Sequence, residues 1–271
     1  MITVFLLAFG VLVAMAVVMT VGWFTQRAAA NGGWTDVFWT YGTGGVCALA
    51  ALAPFGDEPG VLWRRILVAG LIALWSLRLG TYVARRVARS PEEDPRYAAF
   101  RRDWGADFQG RMFLLMIVQA PVTAALSLSV ILAARQPAAA SRVWDVLGVV
   151  VFFVCLGGEA LADSQLHDFR ADPANKGKVC DTGLWAWSRH PNYFFEAAIW
   201  LAWPVIAIDL SRPWTLISLL APVLMYLTVR YASGVPPLEE AMLKSRGEAY
   251  RRYQERVSVL IPRPPKARPA P

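Results

Sequence analysis

Seven apolar stretches recur along this chain, and their length decides what it can fold into. They are Ile2–Phe24, Val37–Phe55, Ile66–Leu79, Met112–Ala134, Val143–Ala162, Tyr193–Leu210 and Trp214–Val229. A helix of about 20 apolar residues crosses the hydrocarbon core of a bilayer. Inside that core the backbone finds no water to bond, so such stretches cross as helices. The chain is 56% apolar and 17% charged. A soluble domain holds about half apolar and about a quarter charged residues. The first stretch is too long for a signal-peptide core and no small-residue cleavage site follows it, so it is expected to stay as a helix. The expectation is an all-α polytopic membrane protein of about seven transmembrane helices, forming a single membrane domain over 1–271.

Seven crossings also predict where charge should fall. Of 27 Lys and Arg, Arg78 lies within a span, and Arg64, Arg65, Arg135, Arg142 and Arg212 fall on the first side. The other 21 gather on the opposite side, near Arg27, in the 80–111 and 163–192 loops and after Val229. Positive loops stay in the cytoplasm. The N-terminus is therefore expected outside and the C-terminus inside, in a bacterial inner membrane. The net charge of +7 is met by this orientation and by anionic membrane lipid. No nucleic-acid motif accompanies it. Cys47, Cys155 and Cys180 have neither metal nor disulfide spacing and are read as small hydrophobes.

The 83–111 loop is charged and is expected to be partly helical. From Pro236 to Val259, charges alternate with Leu238, Met242, Leu243, Tyr250 and Tyr253 at helical spacing, which predicts a C-terminal amphipathic helix on the cytoplasmic face. Residues 263–271, rich in Pro and basic side chains, are expected to form a flexible tail.

Polar groups at membrane depth are costly and mark functional candidates. Glu159 and Asp163 stand one turn apart at the end of the fifth span, and Asn192 and Glu196 one turn apart at the start of the sixth. Spacing of i, i+4 puts each pair on one helix face. The loop between them carries His167, Arg170, Lys176, Lys178, Arg189, His190 and several aromatics. Arg and Lys suit phosphates, the acids and Asn suit hydroxyls, and Trp or Tyr can stack a ring. A plainer alternative stands beside this. Arg189 and His190 can mark a helix boundary, Pro191 a helix start, and Trp185, Trp187 and Tyr193 an interfacial belt. Gln119 in the fourth span is expected to make a helix-packing hydrogen bond.

The run Gly183-Leu-Trp-Ala-Trp-Ser-Arg-His-Pro-Asn-Tyr-Phe-Phe-Glu-Ala-Ala-Ile-Trp200, preceded by Asp163-Ser-Gln, resembles the bacterial steroid 5α-reductase C-terminal-like membrane proteins. Leu238-Glu-Glu, Tyr250-Arg-Arg-Tyr253 and Leu260-Ile-Pro262 fit the same group, as do Trp75-Ser-Leu-Arg78-Leu-Gly80 and Asp94-Pro-Arg-Tyr97. That group is similar to steroid 5α-reductases and, more distantly, to sterol C14 reductases and isoprenylcysteine carboxyl methyltransferases. The resemblance implies substrate-side helices over 1–135 and a cofactor half over 143–262. It implies NADPH contacts from Asp163, Arg170, Lys178, Asn192, Tyr193, Glu196 and Arg230. Glu159 stands where steroid 5α-reductases carry Asn, Arg189 and His190 match the Arg-His of the sterol-reductase motif, and Tyr250 and Tyr253 close over the cofactor or the site. The N-terminal half departs from the pattern. It has no Gln-Glu pair to grip an enone and offers Asp36, Trp39 and Tyr41 on the comparable helix, then Trp75, Arg78 and Tyr82.

The resemblance thus implies an NADPH-dependent reductase of an activated C=C bond in a lipophilic, steroid- or isoprenoid-like small molecule. Asp36, Tyr41 or Tyr82 would supply the proton. Two rivals remain open. The Arg-His-Pro-x-Tyr core also fits an S-adenosylmethionine-dependent methyltransferase, and a non-enzymatic lipid-binding protein would use no cofactor.

Overall fold

The computed structural model describes residues 1–56, 60–90 and 92–266, and among these the chain is all-α, with no strand and one backbone bridge between Ser188 and Ser258. Among the described residues, five helical stretches are long and apolar enough to cross a membrane: Ile2–Ala28, Leu62–Arg89, Pro95–Ala134, Val143–Ala171 and Pro213–Arg246. The helix α2 (Trp34–Leu52) and the pair α8 (Pro191–Ile199) and α9 (Ala202–Ala207) occupy the other two expected runs. The chain is a polytopic helical membrane protein. Its helix α1 (Ile2–Ala28) illustrates why. Val4, Ala8, Val11, Met15 and Met19 face inward at helical spacing, while Phe5, Phe9, Val13, Val17 and Phe24 face outward. A helix apolar on every side has nowhere to lie except in lipid or a large core.

The chain divides into two compact units, Met1–Gly148 with Trp203–Ala221, and Val149–Ala202 with Pro222–Pro271. In the first, α2 packs on α1 and on α3 (Leu62–Arg89). Two further helices, α5 (Phe108–Ile117) and α6 (Gln119–Ala134), complete the group, and α6 packs against α1, α2 and α3. Small residues permit the contact, as lipid-embedded helices require. A methyl group added at Gly44 would lie 2.0 Å from Ser76 Cβ. Ser76 donates to the Thr40 carbonyl at 3.0 Å, and the Thr43 and Thr123 hydroxyls meet at 3.2 Å.

Polar clamps close both ends of this unit. At one end, Arg64 at the start of α3 pairs with Asp145 at 2.9 Å and donates to the carbonyls of Gln136, Ala138 and Ala140. At the other end, Asp36 accepts from Arg96 at 2.7 Å and from the Tyr97 hydroxyl at 2.8 Å. Both donors sit on α4 (Pro95–Trp104), whose start is capped by Asp94. Helix α3 runs well past the expected Ile66–Leu79 at both ends. Charged side chains do not stop a helix where it leaves the apolar layer, so Arg85, Arg86 and Arg89 extend it.

Prolines interrupt three of the expected spans. Pro121 denies a donor to the Ile117 carbonyl, and α5 gives way to α6 there. Gln119 bonds its own Leu115 carbonyl at 3.1 Å, in place of the helix-to-helix bond expected of it. Pro204 does the same to Trp200, so the sixth span is the broken pair α8 and α9 instead of one helix. Pro222 orphans the Ser218 carbonyl, and the Ser129 hydroxyl fills it at 2.7 Å. The last span accordingly begins as a 3-10 helix (Pro213–Leu219), continues as α10 (Leu220–Leu227) and ends in a π-helical turn over Thr228–Ala232.

The second unit holds most of α7 (Val143–Ala171), α8, and two C-terminal helices, α11 (Val235–Arg246) and α12 (Glu248–Arg256). The single amphipathic helix expected over Pro236–Val259 is these two. Gly247, at φ +53°, takes a conformation that breaks the run. Tyr250 and Tyr253 are buried with Val257, Val179, Met242 and Leu243, so α12 folds inward onto its own unit. Of the expected flexible tail, residues 267–271 lie outside the described residues. Before them, the Arg263 amide donates to Trp187 at 2.9 Å and the Lys266 amide to Arg256 at 3.0 Å.

Candidate functional site

The expected site residues of the C-terminal half all lie in the second unit, and the chain brings most of them together. Helix α7 continues beyond its apolar stretch to Ala171, so Glu159 and Asp163 lie one turn apart on a continuous helix, both buried. Gly158 lets α8 come close, since a methyl group there would lie 2.5 Å from the Phe195 ring. Across this seam the Asn192 side-chain amide donates to Asp163 at 3.2 Å. Glu196, one turn along α8, is buried at the same seam and lies with Glu159 within electrostatic range of Cys155.

The turn leading into α8 is built by its sequence. Gly183, at φ +58°, brings the backbone against the Gln165 amide, where a methyl group would lie 2.6 Å away. Gln165 then accepts from the Leu184 amide at 2.9 Å, and the Trp185 indole donates to the Ala162 carbonyl at 3.0 Å. Pro191 occupies the first turn of α8, where its missing N–H costs nothing.

The C-terminal helices sew this turn shut. Glu239 on α11 is the centre. Its Oε1 accepts from Arg189 Nε at 2.6 Å, from the Tyr250 hydroxyl at 3.4 Å and meets His190 Nε2 at 3.2 Å, while Oε2 accepts from Gln254 at 3.1 Å. Arg189 also donates to the carbonyls of Gln254 at 3.0 Å and Val257 at 2.6 Å. Tyr253 donates to the Trp185 carbonyl at 2.5 Å, and Ser188 to that of Leu260 at 2.7 Å.

The electrostatics follow from this packing. Burial pushes the His190 imidazole below its ordinary value, against the opposing pull of Glu239, and its Nδ1 is buried with no hydrogen-bond partner among the described residues. The ring therefore sits neutral, with Nε2–H on Glu239 and a lone pair on Nδ1. It stacks on Tyr193 at 5.7 Å between ring centres. Arg230, in the π-helical turn, is close enough to His190 to contribute to its field. Burial also raises the phenols of Tyr250 and Tyr253, which stay protonated as donors.

Arg170 and Lys178 are placed differently. Both are exposed, and the Lys178 carbonyl accepts from Arg246 at 3.4 Å. The three expected catalytic residues belong to the first unit. Asp36 is held by Arg96 and Tyr97 as described. The Tyr41 hydroxyl shares a hydrogen bond with Thr81 at 2.9 Å, its ring close against Gly80. Tyr82 lies next to Thr81, exposed on α3.

Sequence reasoning missed Glu239, Gln254 and Ser188. Glu239 stood in view within Leu238-Glu-Glu, but its partners Arg189 and His190 lie 50 and 49 positions away and no local spacing connects them.

Chemically, the second unit offers a seam of three buried carboxylates and one amide, a neutral imidazole with an open lone pair, a stacked phenol and a nearby guanidinium. Such a set can take hydroxyls and amides and can orient a ring. Fold and site together define a helical membrane protein whose polar centre lies where α7 and α8 meet and is closed by the tail. The chain belongs to the family described as a protein of unknown function (DUF1295), which matches residues 22–257. It is similar to an uncharacterized protein of Schizosaccharomyces pombe, 26% identical over 267 residues that cover 85% of this chain and 75% of that protein. No solved structure matches the chain.

Proposed function

We propose that the protein is an NADPH-dependent membrane reductase of an activated C=C bond in a lipophilic small molecule, related to the steroid 5α-reductases. One observation carries this reading. Asp163, Asn192, Glu196 and Glu159 form a single buried polar seam beside His190, Tyr193 and Arg230, and these are the positions that the resemblance assigns to a nicotinamide cofactor. The donor set fits it. Carboxylates and Asn192 would bind ribose hydroxyls and the carboxamide, Tyr193 would support a ring, and Arg230 would pair with phosphate. The excess of Lys and Arg on the loops of this half supports a site on the cytoplasmic side of the membrane.

When bound, the reduced nicotinamide supplies a hydride. The chain must hold the substrate carbonyl and deliver a proton. Asp36, with both oxygens occupied by Arg96 and Tyr97, fits an ionised anchor better than an acid. Tyr41, whose hydroxyl is joined only to another hydroxyl among its described bonds, fits the proton donor better, with Tyr82 behind it.

A second reading has an observation of its own. Arg189 is engaged by Glu239, and Arg170 and Lys178 are exposed, which leaves the seam richer in acid than in base. S-adenosylmethionine carries one carboxylate and no phosphate, so a methyltransferase of the isoprenylcysteine carboxyl methyltransferase type would need fewer cations.

Thermal melting of the purified protein in detergent separates the readings, because a ligand of the native state must stabilise it. Stabilisation by NADPH alone is the expected result, and it should disappear in Asn192→Ala and Glu196→Ala. Stabilisation by S-adenosylmethionine alone transfers the assignment to a methyltransferase. If no cofactor shifts the melt at saturation, the reductase proposal falls and the non-enzymatic lipid-binding reading gains.

A further inference from the structure

His190 is 1% exposed at the head of α8, and its polar atoms are engaged on all sides but one. Its amide donates to the Ser188 hydroxyl at 3.1 Å, its carbonyl accepts from the Phe194 amide at 3.0 Å, and Nε2 meets Glu239 at 3.2 Å. Of its polar atoms only Nδ1 has no hydrogen-bond partner among the described residues. A buried acceptor that stays unmet is costly, and such an atom in a native fold needs a physical reason.

The surroundings define what can meet it. Glu239 takes the Nε2 proton, so Nδ1 presents a lone pair and accepts. The guanidiniums of Arg189 and Arg230 oppose a second proton on the ring. A neutral lone pair repels phosphate and carboxylate oxygens and calls for an N–H or O–H donor. Ribose hydroxyls have stronger acceptors in the same unit, the carboxylates of Glu159, Asp163 and Glu196. A neutral N–H is what remains for Nδ1. The Tyr193 ring lies 14° from the imidazole plane, and the Nδ1 lone pair points in that plane. Such an acceptor suits an N–H fixed in the plane of a flat ring better than a freely turning hydroxyl. Asn192 already gives an N–H to Asp163 and its oxygen to the Tyr193 amide, so a carboxamide seated here needs a further acceptor.

We infer that His190 Nδ1 accepts the N–H of a planar amide or amine carried on a ring of the cofactor, and so helps to decide which dinucleotide the site takes. This rests on the reductase reading. NADPH has two groups of that chemistry, the nicotinamide carboxamide and the adenine amine, and the engagement of Asn192 favours the carboxamide. The test follows melting of the full chain in detergent against three reduced dinucleotides. They are NADPH, its acetylpyridine analogue, which has a methyl group for the carboxamide nitrogen, and its hypoxanthine analogue, which has an oxygen for the adenine amine. The parent should bind the acetylpyridine analogue about tenfold more weakly than NADPH, the effect of one lost hydrogen bond that strands a buried acceptor. His190→Gln puts an amide nitrogen where Nε2 stood, so it keeps the contact with Glu239 and removes the Nδ1 lone pair. It should melt like the parent without ligand, bind NADPH about tenfold more weakly and bind the acetylpyridine analogue equally well. His190→Asn puts its amide oxygen where Nδ1 stood and gives up Glu239. It should melt lower yet recover most of the preference for NADPH, whereas a purely structural role makes Gln the better substitute in both measurements. A loss confined to the hypoxanthine analogue, and abolished in His190→Gln, keeps His190 as the acceptor and assigns it to the adenine. A parent that binds all three dinucleotides equally, or a His190→Gln variant with the parent's NADPH affinity, overturns the inference and leaves the reductase reading standing. If no dinucleotide stabilises the parent, both fall together. Should the Gln variant not fold, the three dinucleotides on the parent decide the matter.

Discussion

Replacing Glu239 by Gln tests whether the tail holds the candidate site. The substitution keeps the shape of the side chain and removes one charge. A Gln carbonyl can still accept from Arg189, His190 and Tyr250, and Gln254 can turn its own amide to face the new one. What it cannot replace is the counter-charge of Arg189, whose side chain is 10% exposed. A hydrogen bond to a charged group contributes about 1.5–3 kcal/mol. Stranding a fully buried charge costs about 3–5 kcal/mol. Arg189 keeps two backbone carbonyls at 3.0 and 2.6 Å, so the lower range applies. Glu239→Gln should therefore cost about 2 kcal/mol, read as a lowered melting temperature in detergent. On the reductase proposal it should also reduce stabilisation by NADPH, because the Gly183–Tyr193 turn loosens. The double variant Arg189→Gln with Glu239→Gln should lose less than the two single losses added together. A loss below about 0.5 kcal/mol, the range of an exposed pair, would refute the reasoning. So would strict additivity in the cycle.

Three further outcomes follow from the same geometry. Because burial lowers the folded-state value of His190, the unfolded chain binds the extra proton first, so this group leaves stability intact above its ordinary value of 6.5 and erodes it as pH falls below that; melting from pH 8 to 5 should show the erosion, and a His190→Gln variant that keeps the same slope would exclude His190 as its source. Asp145→Asn leaves the fully buried Arg64 without its counter-charge and should cost about 3–5 kcal/mol, with Arg64→Met plus Asp145→Leu melting higher than either single variant; a wild-type melt for Asp145→Asn would contradict this. Gly44→Ala drives a methyl group into Ser76 and should lower stability by about 1–3 kcal/mol, and Ser76→Gly in the same chain should restore most of it, as measured by melting of the double variant.

The helices were legible because lipid leaves apolar runs few options. The first run and α1 differ by four residues at one end. Their interruptions were legible in principle, since Pro121, Pro204 and Pro222 each stand inside an expected span and each breaks it where a donor is missing. Gly247 likewise sits in the expected amphipathic helix and divides it. In the site, the i, i+4 pairs Glu159–Asp163 and Asn192–Glu196 were readable because helical spacing is local, and their meeting across the seam follows from Gly158 and the short turn. The clamp on Arg189 was not readable. It joins residues about fifty positions apart, and nothing in Leu238-Glu-Glu distinguishes inward Glu239 from exposed Glu240, which pairs with Lys244 at 2.6 Å. Arg170 and Lys178 show the converse. Residue type suits phosphate, and both side chains are exposed, so no contact among the described residues marks them as members of the seam.

The two units handle buried charge differently, and that difference bears on function. In the first, fully buried Arg64 is met by Asp145 and three carbonyls, and partly buried Asp36 by Arg96 and Tyr97. The second unit spends its strongest partner, Glu239, on holding a loop. Arg189, Tyr253 and Ser188 fix that loop to the chain's last helix and the strand of backbone beyond it, so its conformation is set by residues far along the sequence. A loop serving only as a membrane boundary has no need of such fixation. Interfacial Arg, His and Trp anchor equally well in many orientations, because headgroups and water accept them all. Holding His190 neutral, with one nitrogen occupied and the other buried and open beside Tyr193, specifies a single orientation of a single ring. The cost of ordering these side chains is offset when a ligand requires them in that arrangement, and this is the physical reason to prefer a binding site over an aromatic belt for the Gly183–Tyr193 segment.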